Sequence, residues 1–194
     1  MSVIFKNICV FCAASPNVGE VYKSVARDMG KLCADEGWGL VYGGGHRGLM
    51  GAVADSALAH GAEVIGVIPR YLKDKEIAHT GVTELHTTET MHERQMKMAE
   101  LSDAFVVLPG GLGTLAELFE VLTWRQLGLH DKPIILVNVD GYWDSLIAML
   151  EHAAQERFLH GDYRKMLEIL ENLKELLIIL GKTPTKKDIQ PDLL

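Results

Sequence analysis

The residues best suited to chemistry in this 194-residue sequence sit in two glycine-rich loops and one short polar segment. The more informative loop reads Leu108-Pro109-Gly110-Gly111-Leu112-Gly113-Thr114-Leu115-Ala116-Glu117. Lacking Cβ atoms, Gly110, Gly111 and Gly113 let backbone N–H groups approach an anion at the positive end of the helix that follows. The Thr114 hydroxyl adds a donor. A Walker loop would place Lys beside Thr114, whereas here the neighbour is Leu115. The loop can therefore hold a phosphate, but it lacks the lysine and metal arrangement for γ-phosphoryl transfer. Glu117 admits two readings. Thr114-x-x-Glu117 has the spacing of a capping box, and spacing alone favours that role. Placement argues the other way, because a carboxylate beside a phosphate repels it unless it takes part in the reaction. Glu120 reads as a supporting or solvated carboxylate.

The second loop, Gly43-Gly44-Gly45-His46-Arg47-Gly48-Leu49-Met50-Gly51, meets the pattern G-x-G-x-x-G through Gly43, Gly45 and Gly48. It follows the second strand of the chain, and Val67-Ile68-Pro69-Arg70 stands where a ribose-binding acid would be expected. Both points disfavour a nicotinamide dinucleotide. Tight helix-on-strand packing and one wall of a nucleotide pocket, with Gly44 and Gly45 in it, remain open. The polar segment is Thr90-Met91-His92-Glu93-Arg94-Gln95-Met96-Lys97-Met98, a helix start with Thr90 and Glu93 at capping-box spacing. Arg94 shares a helical stripe with Met91, Met98 and Leu101. An arginine on an inward stripe either snorkels or meets an anionic partner. Glu117 is the natural partner, at the strand ends.

Other chemistries find little support. The eight histidines are dispersed, His46, His79, His86, His92, His130 and His160 among them, with no metal-ligand spacing. No metal and no cofactor is expected. Cys9 and Cys12 form C-x-x-C, but on a strand residues three apart face opposite ways, so no redox pair is expected. Cys33 lies in a helical pattern, and all three cysteines read as reduced thiols. No G-x-S-x-G elbow is present.

The elements that position these residues are legible as an alternation. Ile8–Cys12, Leu40–Tyr42 with its flanks, Val64–Ile68, Ala104–Leu108 and Ile134–Val139 are short apolar runs expected as buried strands. Helical patterns fall at about 18–36, 48–60, 91–102, 114–128 and 143–157. The fold class is α/β: a Rossmann-like, doubly wound parallel sheet with helices on both faces, in a single domain over 1–181 with a tail over 182–194. Lys165–Leu180 fits either one amphipathic helix or a strand and a short helix. With 48% hydrophobic residues and 23% charged, the chain is neither disordered nor fibrous. Its net charge of −7 disfavours a nucleic-acid tract or anionic membrane surface as partner. No apolar run approaches the ~20 residues of a membrane helix. The interrupted apolar start does not read as a signal peptide. A cytoplasmic protein is expected.

Gly43–Gly51, Met91-His92-Glu93-Arg94 and Pro109–Glu117 (PGGLGTLAE) together resemble the LONELY GUY family of cytokinin-activating phosphoribohydrolases, over about Ile8 to Leu180. The resemblance implies hydrolysis of the N-glycosidic bond of adenosine 5′-monophosphate and its N6-modified forms, giving free base and ribose 5-phosphate. Carried over by position, Arg94 and Glu117 match the catalytic pair. Gly110, Gly111, Gly113 and Thr114 match the phosphate loop, and Glu76 and Thr123 match further substrate contacts. The sequence departs from the family at Gln95, where Lys is usual, and at Ala14 in the first loop. A homodimer with its site near the subunit interface is also implied. A non-catalytic nucleotide or molybdenum-cofactor carrier and a broader nucleotide nucleosidase are the alternatives. A "lysine decarboxylase" label, common for such sequences, fits poorly, because no lysine stands in a setting for a pyridoxal Schiff base.

Overall fold

The computed structural model describes residues 6–73, 78–159 and 161–182. Its seven strands are β1 (Asn7–Phe11), β2 (Gly39–Tyr42), β3 (Val64–Pro69), β4 (Glu84–Thr88), β5 (Ala104–Val107), β6 (Ile134–Val137) and β7 (Glu168–Leu170). They form one parallel sheet in the order β4-β3-β2-β1-β5-β6-β7. The helices are α1 (Glu20–Asp35), α2 (Gly48–Ala59), α3 (Arg70–Lys73), α4 (Met91–Glu100), α5 (Leu112–Gln126), α6 (Asp144–Gln155) and α7 (Leu176–Lys182).

The period-two alternation of a strand sorts β1 between two cores. Ile8, Val10 and Cys12 join Ala26, Met29 and Cys33 of α1, Val53 and Ala57 of α2, and Leu176 and Leu180 of α7. Cys9 and Phe11 join Met98 of α4, Leu118 and Val121 of α5, and Leu150 of α6. Helices therefore cover both faces, as expected for a doubly wound sheet. Cys9 and Cys12 fall in different cores, and all three cysteines are free and buried.

The strand order reverses between β1 and β5, which pair Phe11 with Val107 at their carboxyl ends. A crevice opens at such a switch point because the two following loops leave in opposite directions. Ala13 ties the surroundings together. Its N–H donates to the Pro109 carbonyl (3.1 Å), and its own carbonyl accepts from Leu49 (2.9 Å) and Met50 (3.3 Å).

Two elements were not anticipated, β4 and α3, and the region Lys165–Leu180 resolves into the strand β7 followed by α7. Helix α7 runs to Lys182, and the remainder of the tail over 182–194 lies outside the described residues. Among the described residues no helix is long and apolar enough to cross a membrane.

Candidate active site

Arg94 is the fourth residue of α4, whose start is fixed by a complete capping box. The Glu93 N–H donates to Thr90 Oγ1 (3.1 Å), and the Thr90 N–H donates to Glu93 Oε2 (3.4 Å). This sets the helix phase so that Arg94 and Met98, one turn apart, are the buried residues of α4. The guanidinium reaches the carboxyl ends of the strands, where Nε donates to the Val67 carbonyl (3.1 Å). Its Nη1 lies 2.9 Å from Glu117 Oε1. The room for this is made by Gly43, where a Cβ would overlap Arg94 Nη2.

Glu117 is 6% exposed and Arg94 7%. Burial pushes the Glu117 carboxyl above its ordinary value, against the pull of Arg94, and Glu120 adds to the rise. The capping reading of Glu117 does not hold. Helix α5 begins at Leu112 with Gly111 at its N-cap, and no side chain caps it. Thr114 is thus already inside the first turn, and Glu117 lies beyond the reach of the end groups.

The uncapped start leaves donors unused. The Gly111 N–H has no backbone acceptor among the described residues, and the first regular bond runs from the Leu115 N–H to the Gly111 carbonyl (3.0 Å). The amides of Leu112, Gly113 and Thr114 precede that bond and have no intrahelical partner. They stand at the positive end of a 15-residue helix.

The pair and the helix start border one cavity of about 400 Å³. The loop after β1 contributes Cys12, Ala13, Ala14 and Ser15, and α5 with its lead-in contributes Gly111, Gly113, Thr114 and Glu117. Gly43, Met50, Ile68, Leu72 and Arg94 complete it. The Cys12 thiol is driven far up by burial and by the neighbouring Glu117, so it is not a thiolate nucleophile.

Not every expected residue arrives here. Gly110 supports the loop from behind, with Thr114 packed on its Cα. Gly44 gives its carbonyl to the His79 N–H (2.8 Å), and Gly45 bridges to Ala78. The first loop therefore meets the cavity through Gly43 and Met50. Thr123 is exposed on α5, its hydroxyl donating to the Phe119 carbonyl (2.7 Å). Glu76 lies outside the described residues. The apolar wall of Ile68 and Leu72 was missed, although Ile68 stands one residue before the carboxyl end of β3, on the side of the sheet where ligands bind. Among the described residues no cluster of three or more potential ligands could hold a metal ion.

Comparison with known proteins places the chain in a family. A family described as "Possible lysine decarboxylase" matches residues 50–180. The cytokinin riboside 5′-monophosphate phosphoribohydrolase of Rhodococcoides fascians is 46% identical over 170 residues, covering 87% of this chain and 86% of that one. The enzyme of the same name from Arabidopsis thaliana, LOG3, is 44% identical over 173 residues, covering 89% and 80%. The chain belongs to the LONELY GUY family. The decarboxylase description does not fit this LONELY GUY site, since no lysine is found among the described residues lining the cavity. In fold, the chain is also similar to the molybdenum cofactor binding protein of Rippkaea orientalis. The TM-score is 0.69 at 22% identity, covering 90% of this chain and 95% of that one. That likeness extends to the architecture alone.

Proposed function

We propose that this LONELY GUY protein hydrolyses the N-glycosidic bond of adenosine 5′-monophosphate and its N6-modified forms, cytokinin nucleotides included, releasing free base and ribose 5-phosphate. The observation that carries the reading is the buried Arg94–Glu117 pair in the same cavity as the open start of α5. Breaking the ribosyl C–N bond develops positive charge on the sugar, and the electron pair leaves with the purine. Glu117 supplies the compensating negative charge and orients the water, whose oxygen bonds to the anomeric carbon while the proton it sheds ends on the departing purine. Arg94 opposes the effect of burial on Glu117 and offers its donors to the departing base. Its planar guanidinium serves as a fixed positive charge and a fork of hydrogen-bond donors.

The free N–H groups of Gly111, Leu112, Gly113 and Thr114 take the 5′-phosphate. Binding energy from that remote group positions the sugar for reaction, so unphosphorylated ribosides are turned over poorly. The apolar wall of Met50, Ile68 and Leu72 suits a base or its hydrocarbon substituent.

The protein acts as a homodimer in this reading. Leu112, Ala116, Phe119 and Thr123 recur at helical spacing on exposed positions of α5, with Leu112 87% exposed. That stripe starts at the cavity mouth, and Thr123 on it would meet the partner, as a substrate contact from the second subunit requires. Three buried, unpaired cysteines favour a reducing, cytoplasmic setting. No nucleic-acid or membrane partner is proposed.

Chromatography of a panel of nucleoside monophosphates tests the activity, scoring free base released. AMP or N6-isopentenyl-AMP should release base, whereas adenosine should not. A carrier built on the same frame would bind nucleotide in a calorimeter and release none.

A further inference from the structure

Gly110 does not line the cavity, yet its carbonyl is held. It accepts a hydrogen bond of 2.8 Å from the Tyr142 hydroxyl, which comes from the loop after β6, 32 residues away in sequence. We propose that Tyr142 is a positioning residue for the phosphate loop. The proposal rests on the phosphate site described above. In a trans peptide the C=O and the next N–H point in opposite directions. A Gly110 carbonyl turned to Tyr142 therefore turns the Gly111 N–H away from it, toward the cavity that Gly111 lines. Thr114 packs against Gly110 from within α5, so this peptide is clamped between two side chains.

The loop that carries Tyr142 is built to hold one geometry. Asp140 (φ 52°) and Gly141 (φ 69°) are both left-handed, and only the second is a glycine. Such a conformation is unfavourable for a residue with a Cβ and is held in place by its neighbours. The neighbours are visible. Asn138 Oδ1 accepts from the Trp143 N–H (2.8 Å), and Asn138 Nδ2 donates to Asp144 Oδ1 (2.8 Å). The Tyr142 ring is held edge-on by Trp143, with centroids 4.7 Å apart, and by Tyr22 at 5.5 Å. A strained loop, an amide bracket and two ring contacts thus end in one hydroxyl placed on one carbonyl.

Tyr142→Phe deletes the hydroxyl and keeps the ring packing. Because Tyr142 is 42% exposed and lies outside both cores, loss of its hydroxyl leaves the core packing intact. The inhibition constant of the product ribose 5-phosphate, and KM for AMP, should rise about three- to ten-fold, the weakening, short of loss, of one donor to a charged group. The inhibition constant of adenine, kcat and the melting temperature should stay near wild type. Equal weakening of adenine and ribose 5-phosphate, or no change in either, would overturn the proposal. Calorimetric titration of ribose 5-phosphate needs no turnover and separates the two readings. If wild type releases no base but Tyr142→Phe still weakens that binding, the proposed activity fails and the positioning role stands. If wild type is active and the variant binds ribose 5-phosphate equally well, the positioning role alone fails. A wild type that does not bind ribose 5-phosphate overturns the phosphate site and the positioning role with it, whatever base it releases.

Discussion

The two glycine loops look alike in composition and do opposite things with their missing side chains. In the first, the space is taken by the protein itself. A Cβ at Gly43 would overlap the Arg94 guanidinium, and one at Gly48 would lie 2.5 Å from the Ser15 carbonyl oxygen. In the second, nothing lies within 4 Å of a Cβ built on Gly111 or Gly113, and both residues face the cavity. Glycine in the first loop, like Gly110 in the second, lets chain approach chain, whereas Gly111 and Gly113 leave open space beside the cavity. A glycine-rich motif therefore identifies a close approach without saying who approaches.

The two loops meet at the Arg94–Glu117 pair, and the largest effect is expected there. Glu117→Gln keeps an acceptor for Arg94 but removes the charge. It should lower kcat on AMP by about a thousand-fold with the folded state retained by circular dichroism. Wild-type turnover in this variant would detach the second loop from catalysis. The same substitution has a signature in pH. The Glu117 carboxyl is raised in the folded state, first by burial. Its contribution to stability is therefore present below the unfolded value near 4.5 and is lost as pH rises through the higher folded value. Urea unfolding across that window should show wild type losing stability relative to Glu117→Gln as pH rises, and parallel curves would contradict the raised pKa.

Gly43→Ala attacks the first loop. The added methyl displaces the end of a flexible side chain, so the fold should lose only about 1–2 kcal/mol in a denaturant melt. The guanidinium moves, and misplacing a reacting group by about 1 Å costs on the order of a hundred-fold in kcat. Gly43 thereby acts on chemistry through the position of Arg94. A variant with full activity and an intact melt would show that Arg94 has a second productive position.

How much of this was legible in the sequence depended on what fixed each feature. The doubly wound sheet was readable because strands buried on both faces, such as Val64–Pro69, must be continuously apolar. Strand β4 (Glu84–Thr88) was not, since it pairs only with β3 at the sheet edge, and its partly exposed residues show no apolar run. Arg94 could be found because it breaks an otherwise apolar stripe. Glu117 reads as part of a capping box because Thr114-x-x-Glu117 has that spacing at the start of the helical pattern over 114–128. The structure begins the helix two residues earlier, with Gly113 inside its first turn. A site that binds through backbone amides hides its own helix boundary, because the residue that exposes the amides also lowers helix propensity.

That conflict yields the smallest and most discriminating test. Gly113 lies within α5, and its Cβ would meet open space. By helix propensity alone, Gly113→Ala should stabilise the protein by up to about 1 kcal/mol, read as a raised midpoint in urea. The new methyl would stand where the phosphate approaches, so KM for AMP should rise several-fold, with kcat changed by less than about three-fold. Stability and affinity should thus move in opposite directions at Gly113, whereas at Gly43 both stability and turnover fall. If Gly113→Ala instead left KM unchanged, the space above α5 would be idle and the two loops would differ only in crowding. A gain in stability bought with lost affinity is what a glycine kept for a ligand must show, because the folded chain alone has no use for its bare amide.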